Sequence, residues 1–354
     1  MQCVTTVEYT VHFNSMETNN LRPTRDLRQG GPLSSYLFLL CSEVLTALFA
    51  HEEESGHLNG VKVCRDAPSI SNLLFADDSL IFMRATVQNA TTLKSVLDIY
   101  CQSSGQRVST PKSSVFFSPN TRVSEREAVC GVLNILTEAL SDKYLGLPTI
   151  VGVDRSDCFQ HLVDRVCQRL KGWKEKFLSV QGKEILLKAV AQAIPSYAMS
   201  VFKLPKGICK AITDDISSFW WGDGEEKRKM HWFAWWKMCV PKKKGGMGFR
   251  DLHSFNLAML AKQCWRLIQN PDSLCARVLS AKYYPDRNVL KAGPKKGSSF
   301  TWQSILKGLD TLKKGYIWRI GSGEHVNIWS DPWLPHPSGG GLGRARSGIR
   351  PTLI

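Results

Sequence analysis

The chain has 354 residues, of which 43% are apolar, 22% charged and 10% aromatic, a balance that supplies cores for two or three folded domains and excludes a disordered or low-complexity protein. A net charge of +15 and a pI near 9.4 point to a polyanionic partner, nucleic acid first. The excess is concentrated in residues 165 to 250, with 18 Lys or Arg against 7 Asp or Glu, a local +11. Eleven cysteines spread from Cys3 to Cys275, none closer than nine residues, exclude a CxxC zinc motif and a dense disulfide framework and read as reduced intracellular thiols. Eight histidines show no HxxxH or HExxH spacing, so no zinc site is expected. Met1-Gln2-Cys3-Val4-Thr5 lacks a signal-peptide pattern, and no run approaches eighteen uncharged apolar residues. The expectation is a soluble intracellular protein of nucleus or cytoplasm, with no membrane partner.

In chain order, residues 4 to 13 are β-branched and aromatic and meet Asn14-Ser15, which predicts one arm of a hairpin. Pro32 opens a predicted helix whose Leu33, Tyr36, Leu37, Leu40, Val44 and Leu48 form a core face up to His51-Glu52-Glu53. Leu73-Leu74-Phe75-Ala76 and Leu80-Ile81-Phe82-Met83 flank Asp77-Asp78-Ser79, a tight hairpin with acids at its tip. Thr86 caps a helix with Val87, Ala90, Leu93, Val96, Leu97 and Tyr100 inward, ending at Ser103-Ser104-Gly105, and Ser114 to Phe117 form a short strand. From about residue 155 the chain reads as helical. Phe159, Leu162, Val163, Val166 and Leu170 lie on one face, Ile185, Leu186, Ala189, Val190 and Ala193 on another, and Pro195 stops the second helix. Five tryptophans fall within 220 to 236, and Lys242-Lys243-Lys244-Gly245-Gly246-Met247-Gly248 is a basic glycine-rich loop. Either could touch a nucleic-acid strand, with core packing favoured for the tryptophans. The Gly- and Arg-rich tail from Ser338 reads as disordered.

Phe75-Ala76-Asp77-Asp78 is the sharpest chemical feature. Adjacent carboxylates on a turn suit a hard divalent cation that also binds substrate phosphates. Asp is equally a common turn residue, so the pair alone also fits a plain polar turn. Order and spacing decide between them: Arg28-Gln29-Gly30-Gly31-Pro32-Leu33-Ser34 comes first, and Gly105 with Pro111-Lys112-Ser113-Ser114 follows.

With these motifs in this order, the chain resembles the reverse transcriptase of plant LINE-type non-LTR retrotransposons from Cys3 to about Pro335. The resemblance implies an α+β fold: a partial polymerase palm, with an antiparallel sheet and packed helices 32–50 and 86–102, followed by a mostly α-helical thumb and C-terminal region. It implies RNA-directed DNA synthesis by two-metal nucleotidyl transfer, with Asp77 and Asp78 as catalytic metal ligands for Mg²⁺ or Mn²⁺ and Asp77 the direct one. Arg28, Gln29, Gly30, Pro32, Ser34, Phe75, Ala76, Gly105 and Lys112 are implied to meet the nucleotide or template, Lys112 from a strand edge near the nucleotide phosphates. Lys171, Lys174, Lys176 and Lys183 are implied to track the nucleic-acid backbone. The partners would be an RNA template, a DNA primer and a dNTP. Tyr144-Leu145-Gly146-Leu147-Pro148 matches the family's primer-side boundary. Phe219-Trp220-Trp221-Gly222, His231-Trp232, Gly245 to Leu252 and Ile328 to Pro335 match its C-terminal region.

The implied organisation is palm 1–148, thumb 149–215, Trp-rich basic region 216–337 and tail 338–354, with the boundary near 145 to 155. The family's first catalytic aspartate lies upstream of the strand beginning near Cys3, and its endonuclease, fingers and first palm strand are expected to be missing here. Without that strand, apolar palm surface should stand uncovered. Asp26, Gly31 and Ser35 replace the usual Gly, Asp and Pro, and neither Asp26 nor Glu17 sits in a matching motif. Two readings follow. In one, the chain is a polymerase fragment that needs its first palm strand from elsewhere; in the other, it is a non-catalytic retrotransposon relic that binds nucleic acid.

Overall fold

The computed structural model describes residues 6–22, 30–140, 142–152, 155–173, 178–223 and 229–317. Arg28, Gln29, Lys174, Lys176, the motif at 328–335 and the 338–354 tail lie outside them. The protein is α+β, with small antiparallel sheets and packed helices. It divides into two compact units, Met1–Asp142 and Lys143–Ile354.

In the first unit, β1 (His12–Phe13) pairs with β2 (Met16–Glu17) across Asn14 and Ser15, which both take positive φ, 48° and 63°. Two left-handed residues match the right-handed twist of the strands they join. Of the strand expected over 4 to 13, residues 4 and 5 lie outside the described residues, and the rest shows this hairpin and a bridge between Tyr9 and Leu21. β3 (Asn72–Phe75) and β4 (Asp78–Ile81) form a second, separate antiparallel pair. The helix Val87–Ser104 starts as predicted, with Thr86 accepting from the Asn89 N–H, and ends on left-handed Gly105, whose N–H bonds to the Cys101 carbonyl. Its Leu93, Val96 and Tyr100 pack with Leu45, Phe49 and Leu58, and Leu74 and Ile81 of the β3–β4 hairpin lie against this cluster.

The helix Ser34–Glu54 begins two residues after Pro32 but buries a different face from the predicted one. Leu45 and Phe49 are inside, whereas Tyr36, Leu40 and Val44 are exposed. It is apolar on nearly every side, so periodicity has no strong face to select. Among the described residues it is also long and apolar enough to cross a membrane by length and composition, a test that core helices also pass. A further helix, Val123–Leu133, packs Val129 against Ala90 and Phe117. The expected strand over 114 to 117 is reduced to a bridge between Val115 and Glu138.

The second unit opens with β5 (Lys143–Tyr144) and β6 (Leu147–Pro148), turned by Leu145 and Gly146 at φ 50° and 77°. This hairpin, expected at the end of the first domain, belongs here because Leu147 packs on the second unit's core. The helix Arg155–Gly172 buries Phe159, Leu162, Val166 and Leu170, four of the five predicted inward residues. Val180–Leu186 runs into a π-helical stretch, Leu187–Ala191, whose wider turns rotate the phase. Leu187 and Ala191 are therefore inside and Ile185 is exposed, in place of the predicted face. Pro195 ends this run and leads into Ser196–Val201.

The helix Lys206–Trp221 crosses residue 215 without a break, and its Ile212 and Ile216 share one core with Phe159, Phe249 and Leu252. The helices Leu252–Gln269, Leu274–Tyr283 and Phe300–Leu312 form a second cluster around Trp302, which stacks on Tyr283 at 4.6 Å. Asn256 ties the helices together from the inside. Its Nδ2 donates to the carbonyls of Met199 (2.8 Å) and Phe202 (2.9 Å), and its Oδ1 accepts from Leu204 N–H at 2.8 Å.

Candidate catalytic hairpin and nucleic-acid face

The β3–β4 register pairs Asn72 with Ile81, Leu73 with Leu80, Leu74 with Ser79 and Phe75 with Asp78, which leaves Ala76 and Asp77 as the two turn residues. Leu74 and Ile81 point to the core and Asn72 Nδ2 donates to Thr46 Oγ1 at 3.3 Å, so the base of the hairpin is held by the Ser34–Glu54 helix. At the tip, Phe75, Asp77 and Asp78 are exposed. Ala76 takes φ 49°, a left-handed conformation that costs an L-residue about 1–2 kcal/mol.

Two adjacent, exposed carboxylates fit a hard cation that completes its shell with water and substrate phosphates. Asp77 and Asp78 would be the protein ligands of Mg²⁺ or Mn²⁺. Among the described residues no group of three His, Cys, Asp or Glu gathers to hold a metal.

The other implied nucleotide residues fall in two places in the same unit. Gly30, at φ 77°, and Pro32 precede the Ser34–Glu54 helix, where the Ser34 N–H bonds to the Gly31 carbonyl at 3.2 Å. Gly105 caps the Val87–Ser104 helix, and Lys112 is exposed at the end of a 3₁₀ turn, Thr110–Lys112, rather than on the expected strand edge. Pro111 within that turn lacks the N–H a strand ladder needs.

Of the four lysines implied to track a nucleic-acid backbone, the described pair, Lys171 and Lys183, border one helix. Lys171 lies within electrostatic reach of Asp215, and Lys183 Nζ stands 5.6 Å from the Phe219 ring centroid. Asp215 and Phe219 are four residues apart on Lys206–Trp221 and so share a face. Burial raises the Asp215 carboxyl above its ordinary value, neighbouring Asp214 adds to this, and Lys171 opposes it.

A second basic cluster was not legible in the sequence. Glu184 Oε1 lies 2.7 Å from Lys188 Nζ and 2.6 Å from Lys242 Nζ, and Lys188 also donates to the Met247 carbonyl. The bonds from Lys188 and then Lys242 hold the Glu184 carboxyl below its ordinary value. This ties the glycine-rich loop to the Val180–Leu186 helix. The loop folds back on the chain that enters it: a Cβ on Gly246 would come 2.0 Å from the Val240 carbonyl oxygen, and Gly248 N–H bonds to that same carbonyl. Only the i, i+4 spacing of Glu184 and Lys188 hinted at it.

The tryptophans divide. Trp220 and Trp235 pack on Phe249 at 5.3 and 4.9 Å, and Trp221 stacks on His231, whereas Trp232 and Trp236 are exposed.

No family model matches the chain. It is 43% identical over 143 residues to the uncharacterized mitochondrial protein AtMg00310 of Arabidopsis thaliana, covering 40% of this chain and 93% of that protein. It is 38% identical over 209 residues to the putative ribonuclease H protein At1g65750 of the same plant, covering 58% of this chain and 33% of that protein. Over 67 residues it is 54% identical to the uncharacterized mitochondrial protein AtMg01250, covering 19% of this chain and 55% of that protein. The chain thus spans about a third of the length of At1g65750 and about half of AtMg01250. Since it covers nearly the whole of AtMg00310 at 43% identity, the chain belongs to the family of that uncharacterized Arabidopsis mitochondrial protein.

Proposed function

We propose that the chain is the distal palm and thumb of a LINE-type RNA-directed DNA polymerase. The observation that carries the reading is the hairpin: Phe75-Ala76-Asp77-Asp78 forms a two-residue turn that lifts two carboxylates clear of the core. The relatives support it more coarsely, since the putative ribonuclease H protein At1g65750 and the two uncharacterized mitochondrial proteins are consistent with a retrotransposon origin. A divalent cation bound there would neutralise charge on the transferred phosphate and activate the primer 3′ hydroxyl. Asp77 and Asp78 hold that charge in place, Gly30 lets backbone approach the nucleotide, and Lys171 and Lys183 position the duplex through its phosphates.

A second reading, nucleic-acid binding without catalysis, is favoured by one observation. Among the described residues no third ligand joins the two carboxylates, and a two-metal centre needs bridging groups from more than one segment. The experiment is Mg²⁺-dependent incorporation of dTTP on a poly(rA) template with an oligo(dT) primer, with Asp77→Asn as control. Incorporation that the control abolishes supports the polymerase. No incorporation with retained, salt-sensitive binding supports the relic, and no binding at about 50 mM salt sinks both.

A further inference from the structure

Between Lys229 and Arg250 the chain carries six Lys or Arg and no Asp or Glu. Within five residues of this segment stand three exposed aromatic rings: Trp232 is 73% exposed, Phe233 57% and Trp236 67%. Their neighbours are not loose. Trp235 packs on Phe249, Met238 is buried, and the Met238 carbonyl accepts from the N–H groups of Met247 and Phe249. At the other end Asp223 accepts from the Lys229 N–H at 2.8 Å and pairs with His231 Nε2 at 3.0 Å. In the four-residue helix Trp235–Met238 the anchored Trp235 and Met238 face in, and so Trp236 and Lys237 face out, with Lys237 Nζ 5.6 Å from the Trp236 ring centroid.

We propose that this segment is a single-stranded nucleic-acid platform, in which Trp232, Phe233 and Trp236 stack on bases while Lys229, Lys237, Lys243 and Lys244 meet phosphates. Those four lysines are all exposed. Exposed rings carried on an anchored segment and set among cations match the stacking and charge of an unpaired strand. A duplex offers no free base faces, so the platform discriminates against it. A protein partner fits less well, because the cores of protein interfaces are depleted in lysine. The inference goes beyond the polymerase reading, since it uses neither the hairpin nor the thumb lysines.

The test uses the full chain without Mg²⁺ and fluorescence anisotropy on two labelled probes: an oligo(dT) of about 12 nucleotides and an abasic-spacer strand of equal length and charge. Wild type should bind the base-bearing strand about 10-fold tighter or more. Trp232→Ala with Phe233→Ala and Trp236→Ala should bind both strands alike, and Trp236→Phe alone should keep most of the preference. Equal binding of both probes by wild type, which involves no variant, overturns the proposal. So does a preference that survives in the triple variant, or a triple variant that loses only self-association. A primer-template duplex, bound equally by wild type and triple variant, reports separately on the polymerase reading.

Discussion

Phe75 and Asp78 face each other as the last pair of the β3–β4 ladder, so the turn between them holds only Ala76 and Asp77. The register thereby sets Asp77 in the turn and Asp78 at the head of a strand. A one-residue slip would send every following side chain to the opposite face.

Ala76 adopts φ 49° in that turn. Ala76→Gly should leave the first unit as stable or raise its stability by up to about 1 kcal/mol, whereas Ala76→Val should lower it by about 1–2 kcal/mol. Urea unfolding followed by circular dichroism checks both, and a stabilising Val would show that the turn is not left-handed.

Asn256 is fully buried and its side chain satisfies three backbone groups. Asn256→Leu keeps the volume but strands Leu204 N–H and the Met199 and Phe202 carbonyls, at a cost of about 3 kcal/mol or more. The urea midpoint should fall with little change in slope. An unshifted midpoint would mean that water replaces the missing bonds.

Glu184 carries a depressed pKa because Lys188 and Lys242 bond to its ionised form. A carboxylate stabilised this way contributes stability above its unfolded pKa and loses it as pH falls through the lower folded one. Wild type should lose more stability than Glu184→Gln in that acid window below 4.5, and the two should run parallel near neutrality. Parallel curves throughout would remove the ion pairs from the stability of the second unit.

Tyr36, Leu40 and Val44 form an exposed apolar stripe on Ser34–Glu54. The chain should bind a hydrophobic dye and self-associate, and Leu40→Lys with Val44→Lys should reduce both without shifting the unfolding midpoint, as expected for surface positions. Unchanged dye binding would place the sticky surface elsewhere.

Sequence and structure agree where a local signal fixes structure by itself. Thr86 and Gly105 bracket their helix through a side-chain cap and a left-handed terminus, and the apolar runs around Asp77-Asp78 specify a hairpin. The buried face of Ser34–Glu54 is not legible because its apolar residues lie on nearly every side, and that of residues 185 to 193 because a π turn rotates the phase. The helix Val123–Leu133 escapes the sequence reading, although Glu125 in its first turn is a start signal. Trp235 and Trp236 are neighbours of one residue type, and only tertiary packing sends one inward and the other out.

On the proposed function, nucleic acid is held by its phosphates along the helical segment that carries Lys171 and Lys183. The direct measurement is the affinity for a poly(rA)·oligo(dT) primer-template across a salt series, for wild type and for Lys171→Ala with Lys183→Ala. Log affinity should fall linearly with log salt, and the double variant should flatten the slope by up to about 0.9 for each phosphate that is no longer neutralised. Asp77→Ala with Asp78→Ala should bind as well or slightly more tightly, because two negative charges are removed from a protein that binds a polyanion. An unchanged slope in the lysine variant would move the groove elsewhere, and no binding near 50 mM salt would contradict the account.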